Sequence, residues 1–147
     1  MGLLQVPGGS IKLVPGRCEF GLDLRAPSDG QRDALAHDVL AELAAICQRR
    51  NLEYSIKETA RVNAAASDPI WQQRWEEAVA AQGLPVQHLP SGAGHDAVKL
   101  HSLLPQAMLF VRGQNESISH SPLESTTSDD MQLAVQAFAR LLEQLAL

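Results

Sequence analysis

Two histidines stand in loops, where side chains are free to meet a ligand. His95 follows the glycine-bearing turn Ser91-Gly92-Ala93-Gly94 and is followed by Asp96, and His120 lies between Ser119 and Ser121 in a polar, irregular stretch. An imidazole transfers protons near neutral pH or ligates a metal through a neutral ring nitrogen, so each is a candidate base or ligand. No Gly-x-Ser-x-Gly elbow occurs in the chain, which argues against a serine nucleophile beside His120. The backbone N–H groups of 91–94 suit an anion at the start of a following helix. That turn lacks the Gly-Lys-Ser/Thr ending of a phosphate loop and the spacing of a dinucleotide fingerprint. Asp23 and Arg25 fall on the polar face of an alternating segment, where the simplest reading is a surface ion pair. His37, His88 and His101 fall on a helix or strand with no partner at metal-ligand spacing, and Cys18 and Cys47 are too few and too far apart for a Cys-x-x-Cys site. All five read as structural.

The elements that must position these residues are legible from periodicity. Residues 10–14 lie between Pro7-Gly8-Gly9 and Pro15-Gly16 and allow at most a short strand. From Arg17 to Arg25 the residues alternate, with Cys18, Phe20, Leu22 and Leu24 on one face, which predicts a strand with one buried side. Ser28 is an N-cap, Gln31 completes a capping box, and Leu35, Val39, Leu40, Leu43, Ile46 and Cys47 recur at helical spacing to about Arg50. Asn51 suits a left-handed helix end, and Leu52, Tyr54 and Ile56 alternate in a stretch reaching Arg61, which predicts a strand returning beside the first. After the small-residue linker Asn63-Ala64-Ala65-Ala66-Ser67 the pattern changes. Asp68-Pro69 starts a helix that carries Trp71, Trp75, Ala78 and Val79 on one face and ends at Gly83. Further expected elements are a short strand over 85–89, a helix near 97–103, an apolar strand over 106–112 suited to burial on both faces, and a last helix. That helix has Asp129 and Asp130 in its first turn and a stripe of Met131, Ala134, Val135, Phe138, Leu141, Leu142 and Leu145. The fold class is mixed α/β, a strand-helix-strand unit followed by a layered α/β segment.

Composition narrows the partners. The 147 residues are 45% hydrophobic and carry a formal charge of −5, the wrong sign for a phosphate backbone or an anionic membrane face, so neither nucleic acid nor membrane is expected. The most apolar run, Ala107 to Val111, is strand-sized. The N-terminus lacks the basic start and long apolar centre of a signal peptide, from which a cytoplasmic location is expected. A chain of this size hides about 68–70% of its unfolded surface and needs no metal or disulfide to fold.

Four segments in order carry a resemblance. Val14-Pro15-Gly16 with Phe20 to Arg25, then Ser91 to Ala97, then Ala107 to Arg112, then Ile118-Ser119-His120-Ser121-Pro122-Leu123-Glu124 resemble consecutive signatures of the M20-type metal-dependent amidohydrolases. The branch is that of N-carbamoyl-L-amino acid hydrolases, allantoate amidohydrolases and β-ureidopropionases. The likeness implies that residues 1–62 are part of a lid and dimerisation domain. It implies that residues 63–147 are the closing segment of a catalytic α/β domain that uses two zinc or manganese ions. Arg25 matches the lid arginine that grips the substrate carboxylate, Gly94 and His95 match the loop lining the substrate pocket, and His120 matches the last metal ligand. Two positions depart from the pattern: Lys12 or Leu13 stands where the family has asparagine, and Glu116-Ser117 stands where it has a glycine pair. The family's His-x-Asp pair, Glu-Glu pair and lid histidine would all lie upstream of residue 1. No catalytic residue is therefore expected in this chain, and by itself it is expected to be inactive. Its expected partners are a small carbamoyl or ureido substrate in the complete enzyme, a complementing N-terminal segment, or a second copy of itself. The alternatives are a non-catalytic dimerisation or ligand-binding module, and a small free-standing enzyme built on His95, Asp96 and His120.

Overall fold

The computed structural model describes residues 2–146 and divides into two compact units, one ending at Ala64 and one beginning at Ala65. The first opens with β1 (Leu3–Gln5) and β2 (Glu19–Gly21), paired antiparallel with Leu4 opposite Phe20. Both strands are exposed. The strand expected over Arg17–Arg25 thus shrinks to three residues, and its partner is Leu3–Gln5, in a stretch whose Pro-Gly punctuation masks any strand signal. Residues 10–14 form a turn with one bridge between Ser10 and Leu13.

Helix α1 (Asp29–Arg50) starts and stops where its end signals require. The Ser28 hydroxyl accepts the Gln31 N–H at 3.3 Å and donates to the Gln31 side-chain oxygen at 3.2 Å, so Gln31 serves the cap through the hydroxyl. Asn51 takes φ 52°, ψ 48°, and the chain closes back with Leu52 N–H on the Cys47 carbonyl. Beyond Asn51 the chain returns toward the start of α1. There, Asp29 accepts from Arg32 at 2.7 Å and from the Ala64 N–H at 2.9 Å, and Arg32 donates to the Val62 carbonyl at 2.6 Å. The lengths agree, since 22 helical residues rise about 33 Å and residues 52–62, extended, span about the same. The return is extended but is not a strand, and Leu52, Tyr54 and Ile56 are exposed. Alternation specifies two faces; a strand also needs a hydrogen-bonding neighbour, which alternation does not specify.

In the second unit, α2 (Pro69–Ala80) is capped by Asp68, whose carboxylate accepts from Ile70 and Trp71 N–H at 3.0 and 3.1 Å. Gly83, at φ 73°, ends the following turn. A short α3 (Ala97–Leu100) follows, then a 3-10 turn over Asn115–Ser117 and the closing α4 (Ser128–Leu145). Helix α4 is capped by Thr127, which accepts the Asp130 N–H at 3.0 Å and donates to its carboxylate at 2.6 Å. Helices α2 and α4 pack together around Ala78, Ala137 and Leu141, which are 0%, 2% and 3% exposed, with Trp75 stacked on Phe138 at 6.0 Å. The expected apolar stripe of α4 therefore splits. Its Ala134 and Leu141 turn inward together with Leu133 and Ala137, which lie outside the expected stripe, while Met131, Val135, Phe138, Leu142 and Leu145 are about half exposed. The strands expected over 85–89 and 106–112 are unpaired extended segments, and Phe110 and Val111 are exposed rather than buried on both faces.

The accessible surface of 11943 Å² leaves only about 48% of the unfolded area hidden, less than the ~60% that a lone 60-residue domain hides. The expectation of 68–70% is not met. Large apolar side chains stay exposed on α4, among them Met131, Val135, Phe138 and Leu142, and on α1 at Leu35 and Leu40.

Candidate functional site

Arg25 follows β2 on an extended stretch, with its side chain on the same face as that of Asp23. Its Nε donates to both Asp23 carboxylate oxygens at 3.0 Å and its Nη2 donates to Oδ2 at 2.6 Å. Those bonds hold the Asp23 carboxyl below the usual carboxylate range and raise the Arg25 guanidinium above its ordinary value. Arg25 is thus a fixed, permanent cation in a solvent-facing position, suited to a carboxylate.

Gly94 lies in open space, where an added Cβ would meet nothing within 4 Å. His95 Nδ1 accepts the Ala97 N–H at 3.1 Å, standing in for the cap that Asp96 does not make. In the neutral ring that bond fixes the proton on Nε2, which leaves a donor for a ligand. The loop that carries His120 is closed at its base by Gln114 N–H on the Ser125 carbonyl (2.8 Å), Asn115 Nδ2 on the Leu123 carbonyl (2.7 Å) and the Thr126 hydroxyl on the Arg112 carbonyl (2.7 Å). Within the loop, Ser121 to Glu124 is a turn closed by Glu124 N–H on the Ser121 carbonyl at 3.0 Å, and the Glu124 carboxylate accepts the His120 N–H at 2.9 Å. His120 has φ 55°, and Asn115, Glu116 and Ser117 have φ 50°, 59° and 57°. Left-handed backbone costs a residue with a Cβ about 1–2 kcal/mol. Glu116 and Ser117 stand in the conformation that glycine adopts freely, at the two positions where the resembling family has glycine.

His95 and His120 each bond within their own loops, and Arg25 belongs to the other unit. No cluster of three or more His, Cys, Asp or Glu side chains able to hold a metal occurs among the described residues. Among the described residues, His120 is therefore not part of a three-ligand metal centre.

Two features escape sequence reasoning. Glu124 lies inside the recognised motif, but its bond to His120 depends on a turn that no spacing rule predicts. A cleft of about 490 Å³ is lined by Asp68, His101, Leu103 and Gln106 among others. It forms because Asp68 N–H bonds the Gln106 carbonyl at 2.8 Å, a contact between segments far apart in the chain. His88 meets Glu76 at 3.3 Å.

Four helices and a two-stranded sheet among the described residues make this a mixed α/β chain. The sequence profile of the peptidase family M20/M25/M40 matches residues 5–144, and the chain belongs to that family. It is 33% identical over 99% of its length to the N-carbamoyl-L-amino acid amidohydrolase of Geobacillus stearothermophilus, of which it covers 36%. It is 36% identical to the allantoate deiminase of Arabidopsis thaliana over 97% of this chain and 29% of that one. It is 30% identical to the allantoate amidohydrolase of Bacillus subtilis over 99% of this chain and 35% of that one. The chain thus spans about a third of the length of these relatives. The family generally uses divalent metal ions. No helix among the described residues is long and apolar enough to cross a membrane.

Proposed function

We propose that this chain is the C-terminal part of a two-metal amidohydrolase that cleaves linear C–N bonds of N-carbamoyl amino acids or allantoate, and that it is inactive alone. Residues 1–62 are the remnant of the lid and dimerisation domain, and residues 63–147 are the end of the catalytic α/β domain. Arg25 fixes the substrate carboxylate, Gly94 and His95 line the pocket, and His120 is one metal ligand in the assembled enzyme, with zinc or manganese as the metal. The observation that carries this reading is the combination of family membership over nearly the whole chain with coverage of about a third of each relative. A hydrolytic metal site needs several ligands and a base for the attacking water, and in this reading another segment of the enzyme supplies the base and the remaining ligands.

The uncovered apolar faces of α1 and α4 are where that segment, or a second copy of the chain, packs. The enzyme is read as cytoplasmic, acting on small molecules and on neither nucleic acid nor membrane. Metal stoichiometry tests the reading: after dialysis against trace zinc and manganese, elemental mass spectrometry of the purified chain gives well under one ion per chain. Two tightly held ions per chain would overturn it.

A further inference from the structure

The apolar segment Ala107-Met108-Leu109-Phe110-Val111 is extended, yet among the described residues no hydrogen bond reaches any of its backbone N–H or C=O groups. Backbone groups of this kind seek partners wherever side chains keep water away. On extended chain the N–H and C=O of one residue point to one edge, and those of the next residue to the other. The edge of the even-numbered residues is engaged at both ends. There the Gln106 carbonyl accepts from the Asp68 N–H at 2.8 Å, the Arg112 carbonyl accepts the Thr126 hydroxyl at 2.7 Å, and the Gln114 N–H donates to the Ser125 carbonyl at 2.8 Å. The opposite edge, made by Ala107, Leu109 and Val111, has no such closure. The segment holds no charge and no proline, the composition of a strand that pairs with its own kind. It is bounded by Pro105 and Arg112, residue types that keep a ladder from running further.

We propose that residues 107–111 are a self-pairing edge, which joins two copies of this chain into an antiparallel dimer through Ala107, Leu109 and Val111. Of residues 2–146, no other segment is bonded to that edge, so for the chain by itself the complementary strand is a second copy. Centred on Leu109, the pair sets Leu109 opposite its own copy and Ala107 opposite Val111, each residue exchanging an N–H and a C=O bond with the one it faces. Arg112 falls opposite Gln106, so no like charges meet, whereas a parallel in-register pair would set Arg112 beside Arg112. With the even edge held at its ends, the ladder closes at two strands instead of growing into a filament. The surface to be covered is present: Phe110 is 52% and Val111 42% exposed. The chain exposes on the order of 4,500 Å² more than a compact chain of its size, against about 800 Å² per partner in a standard interface. This pairing holds whether or not the chain is part of an amidohydrolase.

The test uses the full 147-residue chain, followed by sedimentation equilibrium and by amide hydrogen exchange at low and high chain concentration. A monomer–dimer equilibrium is expected. Where roughly nine chains in ten are paired, the amides of Ala107, Leu109 and Val111 exchange about tenfold more slowly than in dilute chain, while those of Met108 and Phe110 keep their dilute rates. Leu109→Pro removes the central N–H of the pairing edge and leaves the chain monomeric, whereas Phe110→Pro removes an N–H of the other edge and leaves the dimer. Helical circular dichroism equal to that of the wild type establishes that each variant is folded, and if either is not, the exchange pattern of the wild type decides. A chain that stays monomeric at high concentration overturns the proposal, and so does a dimer in which the three odd-numbered amides keep their dilute rates. Slowing of those amides only when the N-terminal two thirds of a relative is added also overturns it, and gives the edge to that segment.

Discussion

Replacing Glu116 or Ser117 by glycine should stabilise the loop that carries His120. Both residues are left-handed, at φ 59° and 57°, and relief of the Cβ clash is worth about 1–2 kcal/mol per residue. The greater freedom of glycine in the unfolded chain takes back about 0.4–1 kcal/mol, leaving a gain of roughly 0.5–1 kcal/mol for each substitution. Native-state hydrogen exchange is the suitable assay, because opening of this loop is local and a whole-chain melt would mix two units. The reporters are the Gln114 N–H, bonded to the Ser125 carbonyl, and the Ile118 N–H, bonded to the Asn115 carbonyl. Exchange should slow about 2- to 5-fold in Glu116→Gly or Ser117→Gly and further in the double variant, with some non-additivity because the sites adjoin. Gly113→Ala is the opposing control: its new Cβ would lie 3.3 Å from the Ser117 Cα, so exchange should quicken. Faster exchange in both glycine variants would refute the argument, since it would mean that the loop is not left-handed in solution.

Ser28→Ala removes the oxygen that accepts the Gln31 N–H and should cost α1 about 1 kcal/mol, read as faster exchange of the amides in its first turn. Asn115→Ala loses the bond to the Leu123 carbonyl as well as a residue that tolerates left-handed backbone, so loop opening should ease by about 1–2 kcal/mol in the same exchange experiment. Ala78→Leu inserts bulk where no exposed surface remains and should cost about 1–3 kcal/mol, detected through Trp75 fluorescence in urea. Asp23 should titrate below the ordinary aspartate value by carbon NMR, because its charged form accepts from Arg25, and Arg25→Ala should raise it toward that ordinary value. The sign for stability follows: the benefit of the pair is present above the ordinary carboxylate pKa and is lost as pH falls through the depressed one.

Helix ends were the most legible part of the fold. Ser28, Asn51, Asp68-Pro69 and Gly83 each act within a few residues of themselves, so local sequence determines them, and all four behave as their types require. Strands were less legible, because alternation at 52–61 and the apolar run at 106–112 describe faces and not neighbours, and neither segment pairs. The stripe of α4 was visible as one face, yet the residues buried there are Leu141 of that stripe and Ala137 beside it, while Phe138 meets Trp75 of α2 and stays half exposed. At the candidate site, residue types placed Arg25, His95 and His120 in solvent-facing positions. The Glu124 bond to His120 and the left-handed run at 115–117 arise from how a turn closes, which spacing does not encode.

The most direct test of the central claim is an assay of ammonia release from an N-carbamoyl-L-amino acid and from allantoate, with zinc or manganese present. It compares the purified chain alone with the chain mixed with the N-terminal two thirds of a relative such as the Geobacillus stearothermophilus enzyme. The chain alone should give no turnover, and the mixture should gain activity that Arg25→Ala and His120→Ala both remove. Turnover by the chain alone, lost on His120→Ala in a folded variant, would contradict the account and identify a complete active site within these 147 residues.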